Sequence, residues 1–265
     1  MIKKELVKET RCENSMADEI LRVALDIGAG ILRSGGEIHR VEDTVTRICK
    51  AYGAEHIEIF AIPSALMAAV RLKNGEYSSQ IRRIDSVSNN LGALEEYNSV
   101  SRKICKETPE ISEVDKLIAE AKKRKNYSKW MRALGSSVAA ASFAIFFGGS
   151  VLDAVSAGII GILIYLIDTL PIKQVNRMAK TVIQSFAAGF LSILFVKIGL
   201  GSDAGMIMIG TVMLLIPGIF FGTAFRDLLC GDFLAGTLKT VQCILAALMI
   251  AAGYLLAIFL MGGAI

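Results

Sequence analysis

Charged residues are distributed unevenly along this chain, and their distribution restricts the folds that it can adopt. The chain has 29 Lys or Arg and 25 Asp or Glu residues, and 42 of these charged side chains lie in residues 1–130. The second half contains charge-free stretches at 133–152, 204–225 and 240–265. A helix needs about 20 residues to cross a hydrocarbon core of about 30 Å. Each stretch is therefore long enough to span a bilayer, and the sequence predicts a water-exposed domain followed by a membrane domain.

Five transmembrane helices are predicted in the membrane domain, which is assigned to residues 129–265. Every backbone donor and acceptor in hydrocarbon has to be satisfied internally, so apolar stretches of this length are expected to be helical. The predicted fold class is thus an α+β domain followed by an all-α polytopic membrane domain. The predicted spans are residues 131–150, 152–171, 181–199, 204–225 and 236–262.

Lysine and arginine residues are concentrated in alternate connections between these spans. The approach to the first span and the connections after the second and fourth spans contain them. The other two connections contain Asp153 and Asp203 and no Lys or Arg. The positive-inside rule then places the N-terminal domain in the cytoplasm and the C-terminus outside. This predicts a multi-pass protein of the cell (inner or plasma) membrane, in contact with the lipid bilayer.

The cytoplasmic domain is predicted to comprise residues 16–128, preceded by a charged, flexible tail over residues 1–15. Apolar residues recur at helical spacing in its first part, and the period changes to two from residue 55. Asn74-Gly75, between two alternating segments, predicts a hairpin with a type I′ turn, which needs positive φ at both residues. At least three antiparallel strands are expected. The predicted helices cover about 16–34, 37–52, 89–107 and 109–126.

Several classes of site are disfavoured because their motifs are absent. The sequence has no G-x-x-x-x-G-K-[ST] phosphate loop and no G-x-G-x-x-G fingerprint after a strand, so no cofactor is predicted. The five cysteines form no C-x-x-C pair, and His39 and His56 are isolated, which predicts no metal site. The net charge of +4 is shared equally by the two halves, so nucleic acid is not an expected partner. No serine, histidine or paired acid in the spans forms a catalytic constellation, and the chain is not expected to be an enzyme.

Ionisable side chains in or near the predicted spans are candidate functional groups, because charge in hydrocarbon is costly. Asp168 lies about one turn inside the cytoplasmic end of the second span. It is interpreted either as a proton-linked or substrate-facing group, or as a structural partner of Lys173 or Lys180. Asp153 and Asp203, at the outer ends of two spans, are interpreted as solvated loop charges or helix N-caps.

Pro217-Gly218 lies near the middle of the fourth predicted span. Proline removes a backbone donor and clashes with the preceding turn, so a break or kink is predicted there. A break would free carbonyl groups at mid-membrane depth, as in the discontinuous helices that form transporter substrate sites; a simple kink is the alternative. Arg226, Asp227 and Asp232 follow at the predicted cytoplasmic mouth, where they could form a gate of ion pairs or satisfy helix ends.

Small residues are frequent in the predicted spans and let helix backbones approach closely. Gly158, Gly161 and Gly222 are the predicted packing positions, and Gly222 follows Gly218 in a G-x-x-x-G spacing. Tight packing within one bundle is one interpretation. The other is a sliding or oligomeric interface, which would make the chain part of a homo-oligomer.

Two regions of the sequence resemble the threonine/serine exporter family. The first contains S-G-G-E-I-H-R-V-E (34–42) and P-S (63–64), and the second is L-L-I-P-G-I-F-F-G-T-A-F-R-D-L-L-C-G-D-F-L-A-G (214–236). The resemblance extends over nearly the whole chain from residue 16. It implies export of a small polar metabolite from the cytoplasm by a secondary mechanism. The candidate site residues that match the second region are Pro217, Gly218, Arg226, Asp227 and Asp232.

Single-chain members of this family carry a second membrane half, whereas this chain has about five predicted spans. It therefore resembles the larger component of the split form, whose partner is a smaller membrane protein similar to the missing half. The predicted function is proton-coupled export of threonine/serine-like amino acids or succinate-like dicarboxylates. Asp168 is a candidate proton site on physical grounds alone. The alternative is a non-transporting, membrane-anchored ligand sensor or scaffold that uses the cytoplasmic domain.

Overall fold

The computed structural model of the protein describes residues 15–123, 127–170 and 176–261. The predicted N-terminal tail, except for residue 15, and the predicted partner Lys173 lie outside these ranges. Within them the protein is mostly helical, with one small antiparallel sheet. The elements in chain order are α1 (Met16–Arg33), α2 (Ile38–Ala51), β1 (Ala54–Ile62), β2 (Ala65–Leu72), β3 (Tyr77–Arg83), α3 (Leu91–Glu107), α4 (Ile111–Lys123), α5 (Lys129–Phe146), α6 (Val151–Thr169), α7 (Arg177–Lys197), α8 (Ala204–Leu215), α9 (Gly218–Leu229) and α10 (Phe233–Leu260).

The chain divides into two compact units, each built from two separate segments. The first unit comprises Met1–Lys125 and Ile219–Thr240, and the second comprises Asn126–Gly218 and Val241–Ile265. In the first unit, apolar side chains of α1 to α4 and of the sheet form one buried core, which also includes Ala235 of α10. The four helices and three strands expected for residues 16–128 are therefore present in this unit.

The hairpin between β2 and β3 is confirmed, but the predicted type I′ turn is wrong. Among the described residues Thr108 is the only non-glycine residue with positive φ, so Asn74 lacks the required conformation. The Gly75 N–H donates to the Leu72 carbonyl at 3.0 Å, and the Leu72 N–H donates to the Glu76 carbonyl at 2.9 Å. These bonds close a three-residue loop in which Gly75 occupies the left-handed position, with φ at +90°.

Close packing of α5 against α6 depends on two glycines in the second unit. A Cβ on Gly158 would lie 3.0 Å from the Ser137 hydroxyl oxygen, and one on Gly161 would lie 2.8 Å from the Ser136 carbonyl oxygen. Both predicted packing positions thus lie at a helix–helix contact. Gly222 of α9 differs from them, because a Cβ there would meet no atom of the described residues within 4 Å.

Asp153 joins the start of α6 to the connection between α7 and α8. Its Oδ1 accepts hydrogen bonds from the N–H groups of Ser202 (2.6 Å) and Asp203 (3.0 Å), and its Oδ2 accepts from the N–H (2.9 Å) and hydroxyl (2.7 Å) of Ser150. With Ser150 it forms a capping box on α6. Asp203 caps α8 by accepting from the Gly205 N–H at 2.7 Å. Both aspartates therefore serve helix N-termini, which is the second of the two roles considered for them.

Three helices of the described chain are long and apolar enough to cross a membrane: α6, α10 and the Met178–Lys197 part of α7. The helices α8 and α9 pass the same test only as a pair, and they are bent by 54° at a break formed by Ile216 and Pro217. The first predicted span is helical as α5 but does not qualify, and it begins with the charged residues Lys129 and Arg132. Length and composition thus support three or four spans, and the predicted number of five is not confirmed.

Candidate functional site

Arg226, Asp227 and Asp232 come together in the first unit, where the end of α9 and the start of α10 lie against the start of α2. The chain leaves α9 through a Schellman motif, in which the Asp232 N–H donates to the Asp227 carbonyl at 2.9 Å. This motif needs a residue with positive φ, and Gly231 provides it at +94°. The glycine and aspartate of the sequence motif therefore reverse the chain, so that Lys239 of α10 reaches Asp227 of α9.

Asp227 is a buried carboxylate with hydrogen bonds to both oxygens. Asp227 and Lys239 are each 1% exposed. The Lys239 Nζ donates to Asp227 Oδ2 at 2.6 Å, and the Ile38 N–H donates to Oδ1 at 3.2 Å. The side chain of Glu37, at the N-cap position of α2, makes no capping bond. Asp227 thus satisfies a free N–H of α2 and places a negative charge at the positive end of that helix.

Arg226 forms the more exposed ion pair of this site. Its Nη1 lies 3.0 Å from Glu37 Oε1, and the two side chains are 63% and 15% exposed. An ion pair with one exposed partner of this kind contributes about 0–1 kcal/mol, because the exposed guanidinium keeps much of its hydration. The Arg226 guanidinium can therefore exchange Glu37 for another carboxylate at low cost.

Asp232 carries a carboxylate oxygen with no hydrogen-bond partner in the described part of the chain. This atom, Oδ2, is buried. Burial raises the pKa of Asp232, and the nearby negative charge of Asp227 raises it further, while His39 and Lys239 lower it. An unpaired buried carboxylate is costly, and binding a proton reduces that cost.

Glu42 of α2 is a third carboxylate in the same electrostatic cluster. Its Oε1 accepts a hydrogen bond from the Ala61 N–H at 2.9 Å. Burial raises the pKa of Glu42, the Ala61 bond lowers it, and the charges of Asp232 and Asp227 raise it. We call Glu42, Asp227, Asp232 and Lys239 the carboxylate–lysine cluster. The carboxylates of this cluster can exchange a proton, or the single ammonium group can shift its contact from one carboxylate to another.

The first sequence motif supplies residues of this site that were not selected as candidates. Both Glu37 and Glu42 belong to the stretch S-G-G-E-I-H-R-V-E, which was used only for the family resemblance. The signal for them that was available in the sequence is the presence of acidic residues near the start of a predicted helix. Their contact with the second motif is not visible from spacing, because Ile38 and Asp227 are 189 residues apart.

The other sequence candidates lie elsewhere in the structure. Pro217 and Gly218 lie at the break before α9. Asp168 lies in the second unit, where its Oδ1 is 3.2 Å from the Lys180 Nζ and its side chain is 59% exposed. Lys180 also donates to the Asp168 carbonyl oxygen. This is the structural pairing considered for Asp168.

Among the described residues, no group of three or more His, Cys, Asp or Glu side chains is arranged to hold a metal ion.

Comparison with known proteins connects this geometry to a family. The family described as "Putative threonine/serine exporter" matches residues 22–261. The "Probable succinate transporter subunit YjjP" of Klebsiella aerogenes is similar to the chain, with 22% identity over 254 residues that cover 95% of this chain and 98% of the relative. No solved structure matches. Both sequence motifs lie within the matched region, and the apolar helices agree with a multi-pass membrane protein. The chain therefore belongs to the threonine/serine exporter family of membrane transporters.

Proposed function

We propose that this chain is a subunit of a proton-coupled transporter that exports small carboxylate-bearing metabolites from the cytoplasm. The substrate class comprises threonine/serine-like amino acids and succinate-like dicarboxylates. The family description supports the first group, and the name of the Klebsiella aerogenes relative supports the second. The relative is also named as a subunit, which supports a partner for this chain.

The buried, unpartnered Oδ2 of Asp232 is the observation that carries the proton-coupling part of this proposal. We place the transported proton on Asp232 rather than on Asp168, whose exposed side chain is paired with Lys180. When Asp232 is protonated, the Lys239 ammonium binds Asp227 alone. When Asp232 loses its proton, it competes for Lys239, and the contact of Asp227 with α2 weakens.

Arg226 is proposed to receive the substrate carboxylate. Within the described part of the chain, its exposed guanidinium forms an ion pair with Glu37. A planar guanidinium matches the two oxygens of a carboxylate, so substrate can replace Glu37 without loss of hydrogen bonding. The break at Pro217 and Gly218 is proposed to line the path, since broken helices expose carbonyl groups to polar cargo.

The topology and the partner are part of the same proposal. We place residues 16–128 in the cytoplasm and the C-terminus outside, with α5 and the α8–α9 pair completing five spans in residues 129–265. The proposed partner is a smaller membrane protein that supplies the second half of the transporter. A Cβ on Gly218 or Gly222 would meet no described atom within 4 Å, so this glycine face of α9 is open to such a partner or to a second copy of the chain.

Transport into inverted vesicles from the native host tests the proposal. Wild-type vesicles should accumulate labelled succinate or threonine only while a proton gradient exists. The variant Asp232→Asn should lose gradient-driven accumulation but retain exchange down a substrate gradient, because only the proton site is removed. Asp168→Asn should transport at the wild-type rate, because Asp168 carries no proton in this proposal. Gradient-driven accumulation by Asp232→Asn would contradict the assignment of the proton to Asp232.

A ligand sensor is the second candidate, favoured by one feature of the sheet. A shallow open depression of about 280 Å³ lies on its outer face. Its lining includes His56 and Glu58 of β1, Arg71 of β2 and Tyr77 of β3. If the sensor function is correct, Arg71→Ala should abolish succinate or threonine binding, and vesicles without the chain should transport these substrates at the wild-type rate.

A further inference from the structure

Tyr165 of α6 carries a buried hydroxyl group with no hydrogen-bond partner among the described residues. The residue is 9% exposed. Tyr254 of α10 has the same exposure in the same unit, but its hydroxyl lies 2.9 Å from the Thr211 Oγ1. The fold thus provides a partner for one buried tyrosine hydroxyl of the second unit and not for the other.

A buried donor without a partner destabilises the folded state, and phenylalanine would fill the same space without that cost. If Tyr165 only filled the core, its hydroxyl would therefore lower stability without any benefit. A partner that comes from outside the chain explains why the hydroxyl is present. The surroundings of the ring then indicate the chemistry of that partner.

The ring of Tyr165 lies beside a positively charged hydrogen-bond donor. The guanidinium carbon of Arg132, an exposed residue of α5, lies 5.4 Å from the centroid of the Tyr165 ring. Within the described chain no carboxylate lies at ion-pair distance from Arg132, whereas Lys180 of the same unit pairs with Asp168. The Gln184 Nε2 donates to the carbonyl of Ile164, next to Tyr165, at 3.2 Å.

We propose that the Tyr165 hydroxyl and the Arg132 guanidinium form a binding subsite for one carboxylate of the exported molecule. This inference rests on the proposed function, which supplies the carboxylate. A carboxylate accepts about four hydrogen bonds, and the guanidinium and the phenol are donors that complement it. The hydroxyl is buried in the present conformation, so a side chain packed around the ring, such as that of Arg132, has to move when the ligand enters. An exposed arginine can make this movement without unpacking the core.

The test compares Tyr165→Phe with Tyr254→Phe as a matched control. Uptake of labelled succinate and of labelled threonine is measured in inverted vesicles from the native host, so that any partner is present. Thermal unfolding of the purified chain is measured in parallel.

Tyr165→Phe should raise KM about tenfold, because a hydrogen bond to a charged group is lost. The maximal rate should stay unchanged, and Tm should stay unchanged or rise. Arg132→Gln should raise KM in the same direction. Tyr254→Phe should lower Tm and leave KM unchanged.

Three results would overturn the subsite. A wild-type KM in Tyr165→Phe vesicles shows that the hydroxyl does not bind substrate. A change confined to stabilisation by phosphatidylglycerol, with KM unchanged, assigns the subsite to a lipid headgroup instead. If wild-type vesicles transport neither succinate nor threonine, the proposed function fails and the subsite loses its ligand. Transport by the wild type with an unaffected Tyr165→Phe variant rejects the subsite alone.

Discussion

At the scale of single residues, Asp227 is the centre of the candidate site because its two oxygens serve different partners. One oxygen binds the Lys239 ammonium, and the other binds the first N–H of α2. Removing water from two charges costs several kcal/mol per ion, and good geometry and further hydrogen bonds offset this cost. Such a pair adds little net stability. Removing either partner is nevertheless strongly destabilising, because the other is left as a buried, unpaired charge.

The first prediction concerns this pair. Asp227→Asn and Lys239→Met should each lower the free energy of unfolding by roughly 3–5 kcal/mol, because each leaves one buried charge without its counterion. The double variant should be less destabilised than the sum of the two, since it leaves neither charge behind. Thermal or denaturant unfolding of the detergent-solubilised protein measures all three variants.

Arg226→Gln is the control for that prediction. It removes an ion pair whose arginine is 63% exposed, so its effect on unfolding should stay within about 1 kcal/mol. If Arg226→Gln costs as much as Asp227→Asn, burial does not explain the effect. Additive losses in the double variant would show that Asp227 and Lys239 act independently.

At the scale of helices and strands, sequence periodicity located the elements of the first unit well. The apolar repeat at helical spacing predicted residues 16–34, and α1 covers Met16–Arg33. The strand hairpin was also found from its turn residues, but the turn type was not. Asn74-Gly75 favours a two-residue turn, whereas the register that pairs Leu72 with Glu76 requires three loop residues.

The tertiary part of the candidate site could not be predicted from periodicity. Hydrophobic spacing reports which face of a helix is buried, and it carries no information on which distant helix covers that face. Arg226, Asp227 and Asp232 were candidates because they match the family motif and follow the fourth predicted span at its cytoplasmic mouth. That they meet Glu37 and Glu42 depends on contacts between segments far apart in the chain.

The second prediction compares two helical glycines. Gly161→Ala should lower the free energy of unfolding by about 1–3 kcal/mol, because the new methyl group would lie 2.8 Å from the Ser136 carbonyl oxygen at the contact of α5 with α6. Gly222→Ala should be neutral or stabilising by up to about 1 kcal/mol, since alanine favours helix and its methyl group meets no described atom. Thermal unfolding in detergent measures both variants.

A stabilised Gly222→Ala chain that no longer co-purifies with a smaller membrane protein would assign the open face of α9 to the partner. A destabilised Gly222→Ala chain would contradict the prediction, because it would require a neighbour within the chain itself. A neutral Gly161→Ala variant would show that α5 and α6 can separate without cost.

At the scale of the whole molecule, composition and tertiary structure divide the chain differently. Charge density separates residues before and after about 130, whereas the first compact unit also contains residues 219–240. These residues carry four charged side chains next to charge-free stretches, which marks them as a connection between spans but does not assign them to that unit. The contacts that join these residues to the rest of the unit include those of Asp227 with Ile38 and of Arg226 with Glu37, and the packing of Ala235 in the core. The predicted boundaries at 16–128 and 129–265 therefore stay predictions about the membrane, which only a measurement of sidedness can test.

The last prediction is the sidedness of the α8–α9 pair, which by its bend is either one broken span or a re-entrant loop. Cys230 follows α9 and is exposed, and Leu200 precedes α8 and is 49% exposed. In chains where Cys230 or an introduced Leu200→Cys is the single cysteine, a membrane-impermeant maleimide should label Cys230 only in inverted vesicles. The cysteine at position 200 should react only in right-side-out vesicles, because positive residues near Cys230 favour the cytoplasm. Labelling of both positions from the same side would make the pair a re-entrant loop, and α10 would then begin on the side where α8 begins.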